Sequence, residues 1–160
     1  MGKSAKLYLI ILFLFLLQIA FCLHYRSFVT PDFLLIIIIS TSFLGGKNRG
    51  IIYGFFTGLL QDLFIGGIPG IYMVVKSFVG GLCDIIEKLF FKKNLIIPPF
   101  MVFVLTIFHE YVALFMSRGI INIFIFIDII LVQAVVNTVF GIIIYYILYR
   151  WKFSGDINYE

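Results

Sequence analysis

The stretch from Gly50 to Gly81, GIIYGFFTGLLQDLFIGGIPGIYMVVKSFVGG, decides the fold because it combines apolar runs with regularly spaced small and charged residues. On a helix of 3.6 residues per turn, Gly54, Gly58 and Asp62 lie on one face, since they are spaced four residues apart. A neighbouring helix can approach closely over the two glycines, with the carboxylate beside it. Pro69 and the glycines around it interrupt the helix. The stretch therefore predicts a helical hairpin with an acidic residue near its tip.

The second arm of this hairpin repeats the spacing, because Lys76, Gly80 and Asp84 are again four residues apart. An ammonium group inside an apolar run is costly, so we expect Lys76 to pair with a carboxylate, for which Asp62 is one candidate. The alternative is that its long stem carries the charge out to the interface. Asp62 itself is interpreted either as a contact for a partner helix, ion or ligand, or as a hydrated carboxylate near the helix end. Gln61 is predicted to form an interhelical hydrogen bond.

The composition of the whole chain indicates an all-α integral membrane protein. Of 160 residues, 62% are hydrophobic and 12% are charged, and the mean hydropathy is +1.15. A water-soluble domain has roughly 45–50% apolar and about 25% charged residues. The net charge of +4 comes from residues scattered between apolar runs, so no nucleic-acid partner is expected. Cys22 and Cys83 lie in different runs and are interpreted as packing residues rather than metal ligands or a disulfide.

Six apolar runs predict six transmembrane helices in a single polytopic domain that covers residues 1–160. With the N-terminus in the cytoplasm, every Lys and Arg lies on the cytoplasmic side except Arg26 and Arg118 outside and Lys76 within a span. This bias predicts that both termini are cytoplasmic. Residues 120–127 are either interfacial or the beginning of the last span. The approximate spans are 7–23, 28–44, 51–65, 68–86, 95–116 and 129–149.

Polar residues in the last two runs invite hypotheses of their own. His109 and Glu110 suggest proton relay or metal ligation, but adjacent helical residues point to different faces and no HExxH motif follows. The interpretation favoured for this pair is two polar groups satisfied by neighbouring helices. Gln133 and Asn137, four residues apart, are predicted to form interhelical hydrogen bonds. No catalytic arrangement is evident, so neither an enzyme, a cofactor nor a metal is predicted.

The pattern Gly54-x3-Gly58-Leu-Leu-Gln-Asp62-Leu, followed by a glycine-rich turn and an apolar helix ending in Gly80-Gly81, resembles the rod shape-determining protein MreD family. The chain length, the layout of six runs and the polar residues of the last run are also similar. The resemblance implies a non-enzymatic, multi-pass subunit of the cell-wall elongation complex in the bacterial cytoplasmic membrane. It implies association with MreC and links with MreB, RodA and the elongation transpeptidase. Candidate residues for helix docking or a polar site are Gly54, Gly58, Gln61, Asp62, Lys76, Gly80 and Asp84.

An alternative function follows from a second likeness. The MreD-like chains are similar to the substrate-binding subunits of energy-coupling-factor vitamin transporters, which are also small six-span helical proteins. In that case Asp62, Lys76, His109 and Glu110 would line a cavity for a small molecule. A third hypothesis, an ion channel or proton path, rests only on the buried charges.

Overall fold

The computed structural model describes residues 3–25, 29–45, 49–64, 68–89, 96–119 and 126–153. The regular secondary structure within these ranges is all helical, as the composition predicted, and each of the six apolar runs overlaps one helix. The second helix begins at Phe33 and not at residue 28, and the fourth begins at Ile71 and not at residue 68, after a turn at Pro69 and Gly70. The segment at 120–125, for which two interpretations were open, falls outside the described residues. Membrane spans are not defined by these bounds, so six spans remain a prediction. The helices are α1 Lys3–Tyr25, α2 Phe33–Gly45, α3 Arg49–Phe64, α4 Ile71–Leu89, α5 Ile97–Arg118 and α6 Ile127–Phe153.

Helix α2 lies at the centre of the bundle and contacts each of the other five helices. All of its side chains from Phe33 to Phe43 are buried. A helix that is apolar all round is expected in such a position, because it has no face to offer to water. With 13 residues, α2 is about 20 Å long, which is shorter than the ~30 Å hydrocarbon core of a bilayer. The central helix is therefore a short element enclosed by longer ones.

The distribution of polar and apolar groups is the reverse of that in a water-soluble protein. Lys76, His109 and Asn137 have no exposed surface, whereas Phe13 and Ile147 are 63% and 58% exposed. Within the described part of the chain, Ile97–Arg118 and Ile127–Trp151 are long and apolar enough to cross a membrane. An apolar exterior, with charged and amide side chains buried within an apolar core, suits a lipid environment, where polar groups must be satisfied inside the protein.

Helices α3 and α4 form the predicted hairpin, and glycines let their backbones touch. A Cβ at Gly54 would overlap the backbone of Lys76 and lie 2.8 Å from the Cα of Ser77. A Cβ at Gly58 would lie 2.5 Å from the Cα of Met73. Real Cβ atoms do not approach backbone this closely, so any side chain at these positions would push the helices apart. The helix expected to pack over the two glycines is thus α4 of the same chain.

Candidate functional site

Two of the predicted site residues, Asp62 and Asp84, cap each other's helices across the hairpin. The Asp62 carboxylate accepts hydrogen bonds from the backbone N–H groups of Tyr72 at 3.1 Å and Met73 at 2.8 Å, at the beginning of α4. The two carboxylate oxygens of Asp84 accept from the N–H of Gly50, at the beginning of α3, at 3.2 and 3.1 Å. The first N–H groups of a helix lack partners within it and carry partial positive charge. Each carboxylate therefore stabilises the end of the opposite helix.

The remaining predicted residues of the hairpin lie in its internal seam, which is the surface along which α3 and α4 pack against each other. Gly80 lies against the backbone of Gly50, so a Cβ at either position would overlap the other helix. Gln61 is buried, and its Oε1 has no hydrogen-bond partner among the described residues. The face of Gly54, Gly58 and Asp62 is covered by α4. A partner protein would therefore contact the hairpin on another face, and the docking hypothesis remains a proposal.

Lys76 forms a buried ion pair, but its partner is Asp32 and not Asp62. The Lys76 Nζ lies 2.6 Å from Oδ1 of Asp32, and the exposed fractions of these side chains are 0% and 6%. The prediction that Asp62 could pair with Lys76 is wrong, because the Asp62 carboxylate accepts hydrogen bonds from the first N–H groups of α4. Sequence analysis did not single out Asp32, because the polar residues 24–32, between the first two apolar runs, were interpreted as a connector. The available signal was an aspartate directly before an apolar helix, which is a common N-cap.

Asp32 also lies at the buried N-terminus of α2, where side chains accept hydrogen bonds from three backbone N–H groups. Its Oδ1 accepts a hydrogen bond from the N–H of Leu35 at 2.9 Å. The Oε1 of Gln18, from α1, accepts from the N–H of Leu34 at 3.1 Å. The Oδ1 of Asn137, from α6, accepts from the N–H of Asp32 itself at 2.9 Å. A buried helix end without such partners would be costly, and here three elements supply them.

The predicted interhelical hydrogen bond is confirmed for Asn137, whereas Gln133 bonds to the segment before α2 and to a residue of its own helix. The Nε2 of Gln133 donates to the backbone carbonyl of Thr30 and, at 3.4 Å, to the Oδ1 of Asn137. The Nδ2 of Asn137 donates to the Oγ1 of Thr106 on α5 at 3.2 Å. These two amides hold the segment before α2 and helix α5 against α6.

His109 lies beside the ion pair and is completely buried. Its Nδ1 is 3.3 Å from the Oε1 of Glu110, and its ring stacks on Tyr72 with centroids 5.8 Å apart. Its Nε2 has no hydrogen-bond partner in the described part of the chain. A ring nitrogen of His109, a carboxylate oxygen of Asp32 and a carboxylate oxygen of Glu110 all lie within 4.8 Å of one another. The adjacent residues thus converge instead of diverging, and neighbouring helices do not satisfy His109 fully.

We call Asp32, Lys76, His109 and Glu110 the polar cluster. It joins the segment before α2 to α4 and α5. The alternative hypothesis had grouped Lys76, His109 and Glu110 with Asp62, whereas the structure places Asp32 in the cluster. Tertiary packing brings Asp32 and Lys76 to the adjacent pair His109 and Glu110.

Comparison with known proteins identifies the family. The sequence profile described as rod shape-determining protein MreD matches residues 3–152 of the 160-residue chain. The chain belongs to the MreD family. This is a family of membrane proteins of the cell-shape machinery, known as structural rather than catalytic. Neither curated proteins nor solved structures yielded a match. The likeness to vitamin-transporter subunits therefore remains a prediction.

The chemistry open to the polar cluster of this MreD chain follows from its charges. A carboxylate, an imidazole and a second carboxylate are a set of groups that metals favour. However, the Lys76 ammonium already lies against Asp32, where it supplies the positive charge that a metal ion would bring. A divalent ion would have to share that carboxylate with a fixed cation. The arrangement is better suited to holding and exchanging a proton among titratable groups than to coordinating a metal.

Proposed function

We propose that this protein is a non-enzymatic, six-span subunit of the cell-wall elongation complex in the bacterial cytoplasmic membrane. Both of its termini lie in the cytoplasm, and it helps to maintain rod shape by docking MreC and wall-synthesis proteins such as RodA and the elongation transpeptidase. The observation that supports this most directly is the family match over residues 3–152. The apolar exterior agrees with a role carried out through membrane-embedded surfaces.

The surface that we propose for docking is a groove on the outer face of the α3–α4 hairpin. It has a volume of about 470 Å³, and its lining is almost entirely apolar. Ser77 and Gly81, four residues apart on α4, provide the small-xxx-small spacing that lets another helix approach closely. The Ser77 hydroxyl donates to the carbonyl of Met73 at 2.6 Å, so it adds no unsatisfied group. The walls include Ile51, Phe55, Val74, Phe78 and Ile85.

The occupant that we assign to this groove is the single membrane span of MreC. The internal seam of the hairpin and its two aspartates are engaged within the chain, which leaves apolar packing over Ser77 and Gly81 for a partner. A single transmembrane helix matches that chemistry, because apolar helices associate in lipid by close van der Waals packing over small residues.

Site-specific photocrosslinking in native membranes tests this proposal. A photoreactive residue at Phe78, inside the groove and 57% exposed, is compared with one at Val139 on α6, 54% exposed and on another face. We expect MreC to be crosslinked from position 78 and not from position 139. Equal yields from both positions, or MreC only from position 139, would contradict the assigned groove.

The alternative function is a substrate-binding subunit of a small-molecule transporter. The observation in its favour is the polar cluster, because ionisable side chains buried in a membrane protein commonly mark ligand or ion pathways. A small molecule that co-purifies with the protein and is lost in a Glu110→Gln variant that still folds would favour this function. Recovery of transporter ATPases as crosslinked partners would favour it further.

A further inference from the structure

The polar cluster contains two acidic groups but only one fixed cation. With a neutral imidazole, the charges of Asp32, Glu110 and Lys76 leave one negative charge uncompensated. Asp32, Lys76 and His109 are almost or completely buried, and the Glu110 side chain is only 26% exposed. An unbalanced charge in such surroundings is costly, because little water is available to screen it. One additional positive charge would make the cluster neutral.

His109 is placed to receive that charge. Its Nδ1 lies 3.3 Å from a Glu110 oxygen, a distance at which Nδ1–H can donate weakly to the carboxylate. Its Nε2 is buried without a partner among the described residues, and an oxygen of Asp32 lies within 4.8 Å of a nitrogen of the ring. A neutral imidazole has one N–H donor, whereas an imidazolium has two. Only the protonated ring can keep an N–H directed towards Glu110 and also carry a hydrogen on the buried Nε2, with its charge close to the Asp32 carboxylate.

We propose that the polar cluster is a proton-binding site, in which His109 takes up one proton between Asp32 and Glu110. The proton adds to the lone pair of Nε2 while Nδ1–H is retained, and the charge of the cluster changes from −1 to 0. No other bond forms or breaks. Glu110 is the most exposed member of the cluster, so we expect the proton to enter past its carboxylate.

The surroundings of His109 contain no further fixed cation among the described residues. Helix α4 presents Lys76 and Tyr72, the segment before α2 presents Asp32, and α5 itself presents Glu110. The Asp62 carboxylate of α3 is also near enough to attract Lys76, but it accepts hydrogen bonds from the N–H groups of Tyr72 and Met73, where the partial positive charge at the beginning of α4 offsets its own. The polar side chains that α6 adds to this region are neutral amides, such as Asn137. His109 is thus the group whose protonation balances the two carboxylates.

Proton uptake is expected to be coupled to helix packing. The cluster joins the segment before α2, α4 and α5, so a change from unbalanced to balanced charge alters the attraction between these three elements. Imidazole is the side chain whose charge ordinarily changes between pH 5 and 8. This property goes beyond docking and does not depend on the identity of any partner.

Nitrogen NMR of the histidine ring tests the proposal in the full chain, reconstituted in lipid nanodiscs. The sequence has two histidines, so a His24→Gln background leaves His109 as the only signal. The ring nitrogens are followed from pH 5 to pH 9. We expect uptake of one proton, and an Nδ1–H tautomer in the neutral form. No uptake in this range, or an Nε2–H neutral tautomer, would overturn the proposal without any further variant.

A charge-neutralising variant then identifies the cause. Glu110→Gln removes the uncompensated charge, so we expect it to lower the proton affinity of His109 about tenfold or more. Glu87→Gln is the matched control, because Glu87 is also buried but lies eleven residues along α4 from Lys76, about 16 Å away. It should change the affinity less than twofold. Equal effects of the two variants, or ring signals that shift on addition of EDTA, would also overturn the proposal, the latter in favour of a bound metal.

Discussion

The Nζ of Lys76 lies 2.6 Å from the Oδ1 of Asp32, and this contact connects the middle of α4 to the N-terminus of the central helix α2. The same Asp32 oxygen accepts the N–H of Leu35, so one carboxylate both caps α2 and balances the buried ammonium. The ion pair therefore makes the position of the hairpin depend on the position of the central helix.

Removing one partner of this pair should destabilise the protein strongly. In Lys76→Met the Asp32 carboxylate is left buried and unpaired, and we expect a loss of about 3–5 kcal/mol in the free energy of unfolding. The double variant Asp32→Asn with Lys76→Met should lose less than Lys76→Met alone, because position 32 no longer carries a charge without its cation and asparagine can still cap the helix. Denaturant unfolding in detergent micelles measures both.

The control for this prediction is Lys88→Met, which removes an exposed lysine from the same helix. It should change the stability by less than about 0.5 kcal/mol. If Lys76→Met were no more destabilising than Lys88→Met, the ion pair would not support the fold.

The glycine seam predicts that even a methyl group separates α3 from α4. In Gly54→Ala the new Cβ would meet the backbone at Lys76 and Ser77, and we expect a loss of about 1–3 kcal/mol despite the better helix propensity of alanine. Gly81→Ala is the control, because its nearest neighbour is the side chain of Ile51 at 3.2 Å, which can move. The midpoint of thermal unfolding should be lower for Gly54→Ala than for Gly81→Ala. Similar midpoints would mean that the seam is looser than described.

Because Asp62 caps α4 and Asp84 caps α3, removing either carboxylate should affect only the beginning of the helix that it caps. Asp62→Ala should speed hydrogen exchange at the amides of Tyr72 and Met73 and leave Gly50 unchanged. Asp84→Ala should do the opposite, because its carboxylate binds the amide of Gly50. Each loss should cost about 0.5–2 kcal/mol, as measured for other helix caps. Each variant is the control for the other, and a uniform change of exchange in both would contradict local capping.

The local features of the fold were predictable from the sequence, because they depend on spacing along one helix. Glycines four residues apart indicated the close approach of α3 and α4, and the amide of Asn137 indicated an interhelical hydrogen bond. The identity of the helix that packs on Gly54 was not predictable from spacing, since any apolar helix could fill that seam. This is why the same residues suggested an external docking face.

The place of Asp32 in the polar cluster could not be predicted, because Asp32 is remote in sequence from the other three members. Asp32 and Lys76 are 44 residues apart, and only the packing of α4 against the beginning of α2 brings them together. Helical periodicity also directed His109 and Glu110 to different faces, whereas their side chains bend towards each other at 3.3 Å. Periodicity fixes the direction of the Cα–Cβ bond, while the end of a long side chain follows the nearest charge.

Co-purification of MreC with the tagged chain from native membranes tests the proposed function most directly. Gly81→Leu fills the groove between α3 and α4, whereas Val139→Leu enlarges an exposed side chain on α6. We predict that the wild type and Val139→Leu recover MreC, and that Gly81→Leu recovers at least tenfold less from membranes that contain equal amounts of folded protein. Recovery of MreC unchanged by Gly81→Leu would contradict docking in this groove. Recovery of transporter ATPases in place of MreC would contradict the proposed function itself.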